Sequence, residues 1–116
     1  MNAERDYKDY LQDMLDCIVK VTRFIGGMTF EQFVADEKTA YAVIRALEII
    51  GEATKQIPDS VREKNRQVPW REMAGIRDKL IHSYFGVNLE VVWKTAKEDL
   101  PTLEPHIRAL LAESTE

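Results

Sequence analysis

The sequence predicts an all-α fold, a bundle of four to five helices forming one domain over residues 1–116. Three observations predict it. Apolar residues recur at three- and four-residue steps along most of the chain. Only 5 Gly and 4 Pro are present, too few for a fold of many strands and turns. No internal repeat, low-complexity stretch or long linker interrupts the pattern, so short turns join successive helices.

Residues 4–25 read as the first amphipathic helix, with Tyr7, Tyr10, Leu11, Met14, Ile18, Val21 and Ile25 as its stripe. Gly26-Gly27 stops it. Thr29 opens a short helix, with Gln32 as capping-box partner three residues on. Asp36 or Lys38 begins a longer helix that runs to about Ile57, with a stripe through Ala40, Val43, Ile44, Leu47, Ile50, Thr54 and Ile57. Gly51 inside it costs about 1 kcal/mol relative to Ala, which is explained if another helix approaches closely there.

Pro58 ends that helix, and Ser60 with Glu63 has the pattern of a second capping box. Pro69 suits the first turn of the next helix, which carries Trp70, Met73, Ile76, Leu80 and Ile81 and ends near Gly86. Asn88 is the N-cap expected for the last long segment, lined by Leu89, Val92, Trp93, Ala96, Leu100 and Leu103. Pro101 and Pro105 should kink or restart it before a final helix through Ile107, Leu110 and Leu111.

Composition excludes several classes. Hydrophobic residues make up 45% and charged residues 31%, an ordinary globular balance. Cys17 is the sole cysteine, so neither an intramolecular disulfide nor a cysteine-based zinc site can form. Its spacing from Met14, Ile18 and Val21 makes it a packing residue. The N-terminus is charged where a signal peptide is apolar, and no apolar run approaches the roughly 18 residues of a membrane span. The expectation is a soluble, cytoplasmic protein with no membrane partner. Net charge is −4, which counts against a dedicated nucleic-acid surface. Any RNA contact must use a local cluster of Arg and Lys, or a surface shared between subunits.

Walker, GxGxxG, GxSxG and HExxH patterns are all absent. His82 and His106, the two histidines, stand 24 positions apart, so neither a metal nor another cofactor is expected. What remains is Gly75-Ile76-Arg77-Asp78-Lys79-Leu80-Ile81-His82-Ser83-Tyr84-Phe85-Gly86. Arg supplies a fork of donors for phosphate. His moves protons near neutral pH. Tyr donates to phosphate oxygen, stacks on a base or accepts a modification. On an ideal helix Arg77 and Tyr84 share a face, as do Asp78 and His82, while His82 lies about 140° from Arg77. Either the helix loosens before Gly86, or a second protomer supplies the complementary half. The second solution is favoured, since a two-fold axis would line one cleft with two Arg and two His. The plain alternative is a solvated Arg-Asp-Lys face with a histidine that interacts with the helix dipole.

The segment Ile49–Pro101 resembles the HepT-like ribonucleases of the HEPN superfamily. The resemblance rests on Ile50-Gly51-Glu52-Ala53, on Val68-Pro69-Trp70-Arg71-Glu72-Met73, and on Gly75-Ile76-Arg77-Asp78 with His82-Ser83-Tyr84-Phe85-Gly86. It extends through Val91-Val92-Trp93 and Asp99-Leu100-Pro101. The Arg-x4-His-x-Tyr element is that family's signature.

The resemblance implies an all-helical HEPN-type homodimer or higher assembly with an endoribonuclease site in the dimer cleft. Arg77 and His82 would be the catalytic pair, supported by Asp78, Ser83 and Tyr84. Tyr84 matches the tyrosine that a partner nucleotidyltransferase antitoxin adenylylates in similar systems. The function implied is the toxin of a toxin–antitoxin pair, cleaving an RNA substrate without metal. Two other readings stay open: a non-catalytic subunit that binds a nucleotide or the nucleotidyltransferase, and a structural dimerisation bundle.

Overall fold

The structure is a computed structural model that describes residues 6–83 and 86–113, with 81–83 and 86 described by their backbone. Its helices are α1 (Tyr7–Ile25), α2 (Phe30–Ala35), α3 (Glu37–Lys55), α4 (Asp59–Lys64), α5 (Trp70–Ala74), α6 (Ile76–Leu80), α7 (Leu89–Lys94) and α8 (Leu100–Glu113). A π-helical turn over Thr95–Asp99 joins α7 to α8. Two very short strands, β1 (Ile81–Ser83) and β2 (Gly86–Val87), pair antiparallel between α6 and α7. Among the described residues the fold is an all-α bundle with this one small hairpin.

Local sequence accounts for most of the helix starts. The Asp6 carboxylate accepts from the Lys8 amide at the head of α1. Thr29 and Gln32 form the reciprocal capping box of α2, with both bonds near 3 Å. Asp36 caps α3 by accepting from the Thr39 amide and hydroxyl, bonds that hold its carboxyl below the usual carboxylate range. Gly27, at φ 80°, provides the left-handed turn after α1. The capping box expected at Ser60 and Glu63 does not form. Pro58 is the N-cap of α4, no side chain caps it, and Ser60 falls inside the helix. The proline starts the helix two residues earlier, because its fixed φ already matches a helix entry.

The core lies where α1, α3 and α8 meet. Leu11, Met14, Ile18 and Val21 of α1, Val43, Leu47 and Ile50 of α3, and Leu103 and Ile107 of α8 are all buried. Cys17 joins them, and burial pushes its thiol pKa up, away from reactivity. Thr54 is buried without penalty, because its hydroxyl donates to the Ile50 carbonyl at 2.7 Å. Arg62 finishes α3 from outside: its guanidinium donates to the carbonyls of Thr54 at 2.7 Å and Ile57 at 3.0 Å.

Pro101 and Pro105 do not restart the last segment, which continues as one helical rod from Leu89 to Glu113 through the π turn. A proline ring at position 101 would press on the carbonyl four residues back in an ordinary α-helix. Here the preceding turn is widened, and the Leu100 amide reaches the Thr95 carbonyl five residues back. The wider turn accommodates Pro101 and keeps the rod continuous.

Candidate active site

The helix expected to run from Pro69 to Gly86 is broken twice. Gly75 ends α5, with its amide on the Arg71 carbonyl at 3.1 Å, and α6 then covers only Ile76–Leu80. Beyond Leu80 the backbone is extended. Ile76 and Leu80 are buried and anchor α6 inward, so Arg77, Asp78 and Lys79 between them are exposed.

The helical-wheel geometry for residue 82 therefore does not apply. His82 lies on β1, two residues past the end of α6, and the angle of 140° from Arg77 has no meaning there. The helix does loosen before Gly86, since α6 ends at Leu80 and the backbone is extended from Ile81. Ser83 follows on the same strand, its Cα paired with Gly86. Tyr84 lies outside the described residues. Arg77 and Asp78 thus share one exposed turn, and His82 and Ser83 share the strand that leaves it.

The hairpin is tied at its base. Ile81 is in register with Val87, and an irregularity between Ile81 and Ser83 shifts the next pair. The Asn88 amide donates to the Leu80 carbonyl at 3.1 Å. The Asn88 side chain, in turn, accepts from the amides of Glu90 and Val91 at the head of α7. One residue closes the loop and caps the next helix. Lys79 reaches across to Asp99 on the π turn at 3.4 Å, a surface pair worth at most about 1 kcal/mol that holds α6 beside the rod.

Trp70 and Gly51 are both buried within the chain. Trp70 is buried and its indole N–H donates to the Asn65 carbonyl at 3.0 Å. Gly51 is buried against Ile76 and the Met73 carbonyl. Among the described residues no group of three or more His, Cys, Asp and Glu side chains is placed to hold a metal ion. The sequence reading missed the hairpin and the Lys79–Asp99 tie. The available signal for the break was Gly75, a residue that commonly follows a helix end.

A family model described as Ribonuclease HepT-like matches residues 14–110. The chain belongs to that family. The match runs from the middle of α1 into α8 and includes the whole α6–hairpin–α7 region. Among relatives, a probable ribonuclease HepT of Thermococcus cleftensis is 54% identical over 101 residues, covering 87% of this chain and 92% of the relative. A putative RNase of Caldanaerobacter subterraneus is 46% identical over 111 residues, covering 96% of each chain. A putative RNase of Methanocaldococcus jannaschii is 42% identical over 113 residues, covering 97% of each. No solved structure matches the chain. By family, then, this HepT-like chain is a ribonuclease of the HEPN type.

Proposed function

We propose that this HepT-like chain is a metal-independent endoribonuclease that cuts RNA with Arg77 and His82 and serves as the toxin of a toxin–antitoxin pair. The observation that carries the reading is the end of α6 at Leu80. Arg77 remains on an exposed helical turn, while His82 stands on a short strand clamped at its base by Asn88 and Leu80. A helix-borne cation followed within five residues by a strand-borne proton carrier suits phosphodiester chemistry.

The ribose 2′-OH is the nucleophile. It attacks the adjacent phosphorus, the bond to the 5′ oxygen breaks, and a 2′,3′-cyclic phosphate and a 5′-OH result. The protein must position the strand, move protons and offset charge. Arg77 holds the phosphate and the charge that builds on it. His82 takes the 2′-OH proton or supplies one to the departing 5′ oxygen, a role worth about 10²–10⁴-fold. Asp78 and Ser83 support the pair, and Tyr84 donates to the phosphate. The decisive experiment is cleavage of RNA in EDTA by wild type and by His82→Ala. Equal rates would remove the reaction from this site.

The antitoxin in this reading is a nucleotidyltransferase that transfers AMP from ATP to the Tyr84 hydroxyl: the phenolic oxygen loses its proton and bonds to the α-phosphorus, and pyrophosphate leaves. The adduct adds phosphate charge where the RNA phosphate must sit. A mass shift of one AMP on Tyr84, with loss of cleavage, is the expected result. Protection of Tyr84→Phe by the partner without any adduct would mean neutralisation by binding alone.

The active form in this reading is a homodimer. A groove of about 640 Å³ supports it, lined among others by Tyr41, Ile44, Val87 and Leu89. The Tyr41 side chain, 70% exposed, stands at this groove beside the strand that pairs with β1. Tyr41→Glu should shift light scattering from dimer to monomer; an unchanged dimer excludes this face. The net charge of −4 favours a second reading, a non-catalytic subunit that binds a nucleotide or the nucleotidyltransferase. The same EDTA assay separates the two.

A further inference from the structure

The positive charge of this acidic chain is concentrated in one stretch. Residues 62–79 hold six of the 16 Lys and Arg residues but only three of the 20 Asp and Glu residues. Two of those six cations are engaged: Arg62 on the carbonyls that end α3, and Lys79 on Asp99. The other four, Lys64, Arg66, Arg71 and Arg77, are exposed. No ion pair or side-chain hydrogen bond engages them among the described residues.

The backbone that carries these four has little slack. The Asn65 carbonyl accepts from the Val68 amide at 3.1 Å and from the Trp70 indole at 3.0 Å, and the Trp70 amide donates to the Val68 carbonyl at 2.8 Å. Buried Trp70 pins this turn between Arg66 and Arg71. From there Gly75 is bonded back to Arg71, and Lys79 back to Gly75, at 3.1 and 3.2 Å. Arg71 and Arg77 thus sit on consecutive short helices, α5 and α6, joined at Gly75. With the backbone beneath them fixed, binding has to order only the side chains.

We propose that Lys64, Arg66 and Arg71 form a phosphate track that leads single-stranded RNA to Arg77. The proposal rests on the ribonuclease reading and adds the route its substrate takes. The chemistry fits a polyanion with one charge per nucleotide, because the track offers guanidinium forks and an ammonium that form no ion pair among the described residues. It does not fit base reading: the one aromatic ring in the stretch, Trp70, is only 6% exposed and presents no stacking face. The track therefore binds without regard to sequence. The net negative charge elsewhere confines the strand to it.

The test measures binding of a fluorescent, mixed-sequence single-stranded RNA across a salt series, beside cleavage of the same RNA. Arg66→Ala/Arg71→Ala removes two track cations. Lys20→Ala/Lys38→Ala removes two exposed cations from α1 and α3 and makes the same change in net charge. The track variant should lose at least about tenfold in affinity, and its log–log salt slope should fall by about 1.4, given about 0.7 per phosphate contact on single strands. The control should bind like wild type. Arg66→Lys/Arg71→Lys should recover most of the loss. Circular dichroism should show all variants equally helical. If wild type cleaves RNA and the track variant keeps the wild-type affinity and slope, the track is wrong and the activity stands. If wild type binds RNA through these residues but does not cut it, the track stands and the activity falls. No binding and no cleavage by wild type overturns both.

Discussion

Gly51 of α3 and Ile76 of α6 pack so closely that a methyl at position 51 would stand 2.6 Å from the Ile76 Cγ2. The same methyl would meet the Met73 carbonyl at 3.3 Å. Ile76 is 1% exposed and β-branched, so it has little room to turn aside. The glycine thus sets the distance between α3 and the short helix that presents Arg77.

Gly51→Ala tests that spacing. Helix propensity alone would favour the change by about 1 kcal/mol. Overpacking opposes it by about 1–3 kcal/mol. We expect a net loss of up to about 2 kcal/mol in urea unfolding, and a fall in RNA cleavage beyond what the unfolded fraction explains, because α6 must shift outward. A variant more stable than wild type would show that the contact yields freely.

Asn88→Ala should separate loop order from bundle stability. The substitution removes the side-chain acceptor for Glu90 and Val91 and should cost about 1 kcal/mol, the usual worth of an N-cap. The backbone bond to Leu80 survives chemically but loses its fixed partner helix. Hydrogen exchange at the Asn88 amide should quicken, and cleavage should drop while the α1 and α3 amides stay protected. Unchanged exchange at Asn88 would mean that the hairpin is held by other contacts.

The bundle was legible in the sequence because burial follows period. The stripes through Leu11, Met14 and Ile18 and through Val43, Leu47 and Ile50 are the core, and the caps at Thr29, Asp36 and Asn88 are where their side-chain chemistry put them. Gly51 announced a close helix neighbour, and Ile76 is that neighbour. Two features were not legible. The stretch from Trp70 to Gly86 keeps a helical apolar pattern through Leu80, so nothing in its periodicity marks the extended turn after it. The π turn accommodates Pro101 locally, and a one-residue widening leaves no trace in a three-to-four-residue stripe. Of the candidate residues, the exposure of Arg77 follows from its position between buried Ile76 and Leu80, whereas the strand under His82 and Ser83 had no sequence signal.

The π turn also leaves a polar atom without a partner. The Thr95 hydroxyl is buried, in a residue 1% exposed, and makes no hydrogen bond among the described residues. A buried unsatisfied hydroxyl costs about 1–3 kcal/mol. Thr95→Val keeps the shape and deletes the cost, so unfolding free energy should rise by about 1 kcal/mol and the melting temperature by about 4 °C. A lower melting temperature would reveal that the hydroxyl is satisfied in solution.

Arg77 and Arg71 should respond differently to the same conservative change. Both are exposed arginines six residues apart, and neither supports the core, so lysine at either position should leave the melting temperature unchanged within about 1 °C. At position 71 only charge along a phosphate track is asked of the side chain, and lysine supplies charge. Arg71→Lys should keep cleavage within a few-fold of wild type. At position 77 the planar fork must meet charge that develops on the phosphate in the transition state, and an ammonium cannot reproduce two parallel donors. Arg77→Lys should lose about 10²–10³-fold in kcat, the usual cost of one preorganised donor. RNA affinity should fall far less. Equal, mild losses for both variants would reduce Arg77 to one more phosphate contact and leave the transition-state charge to another group. Steady-state cleavage of one RNA by both variants, at saturating and limiting substrate, decides between these outcomes.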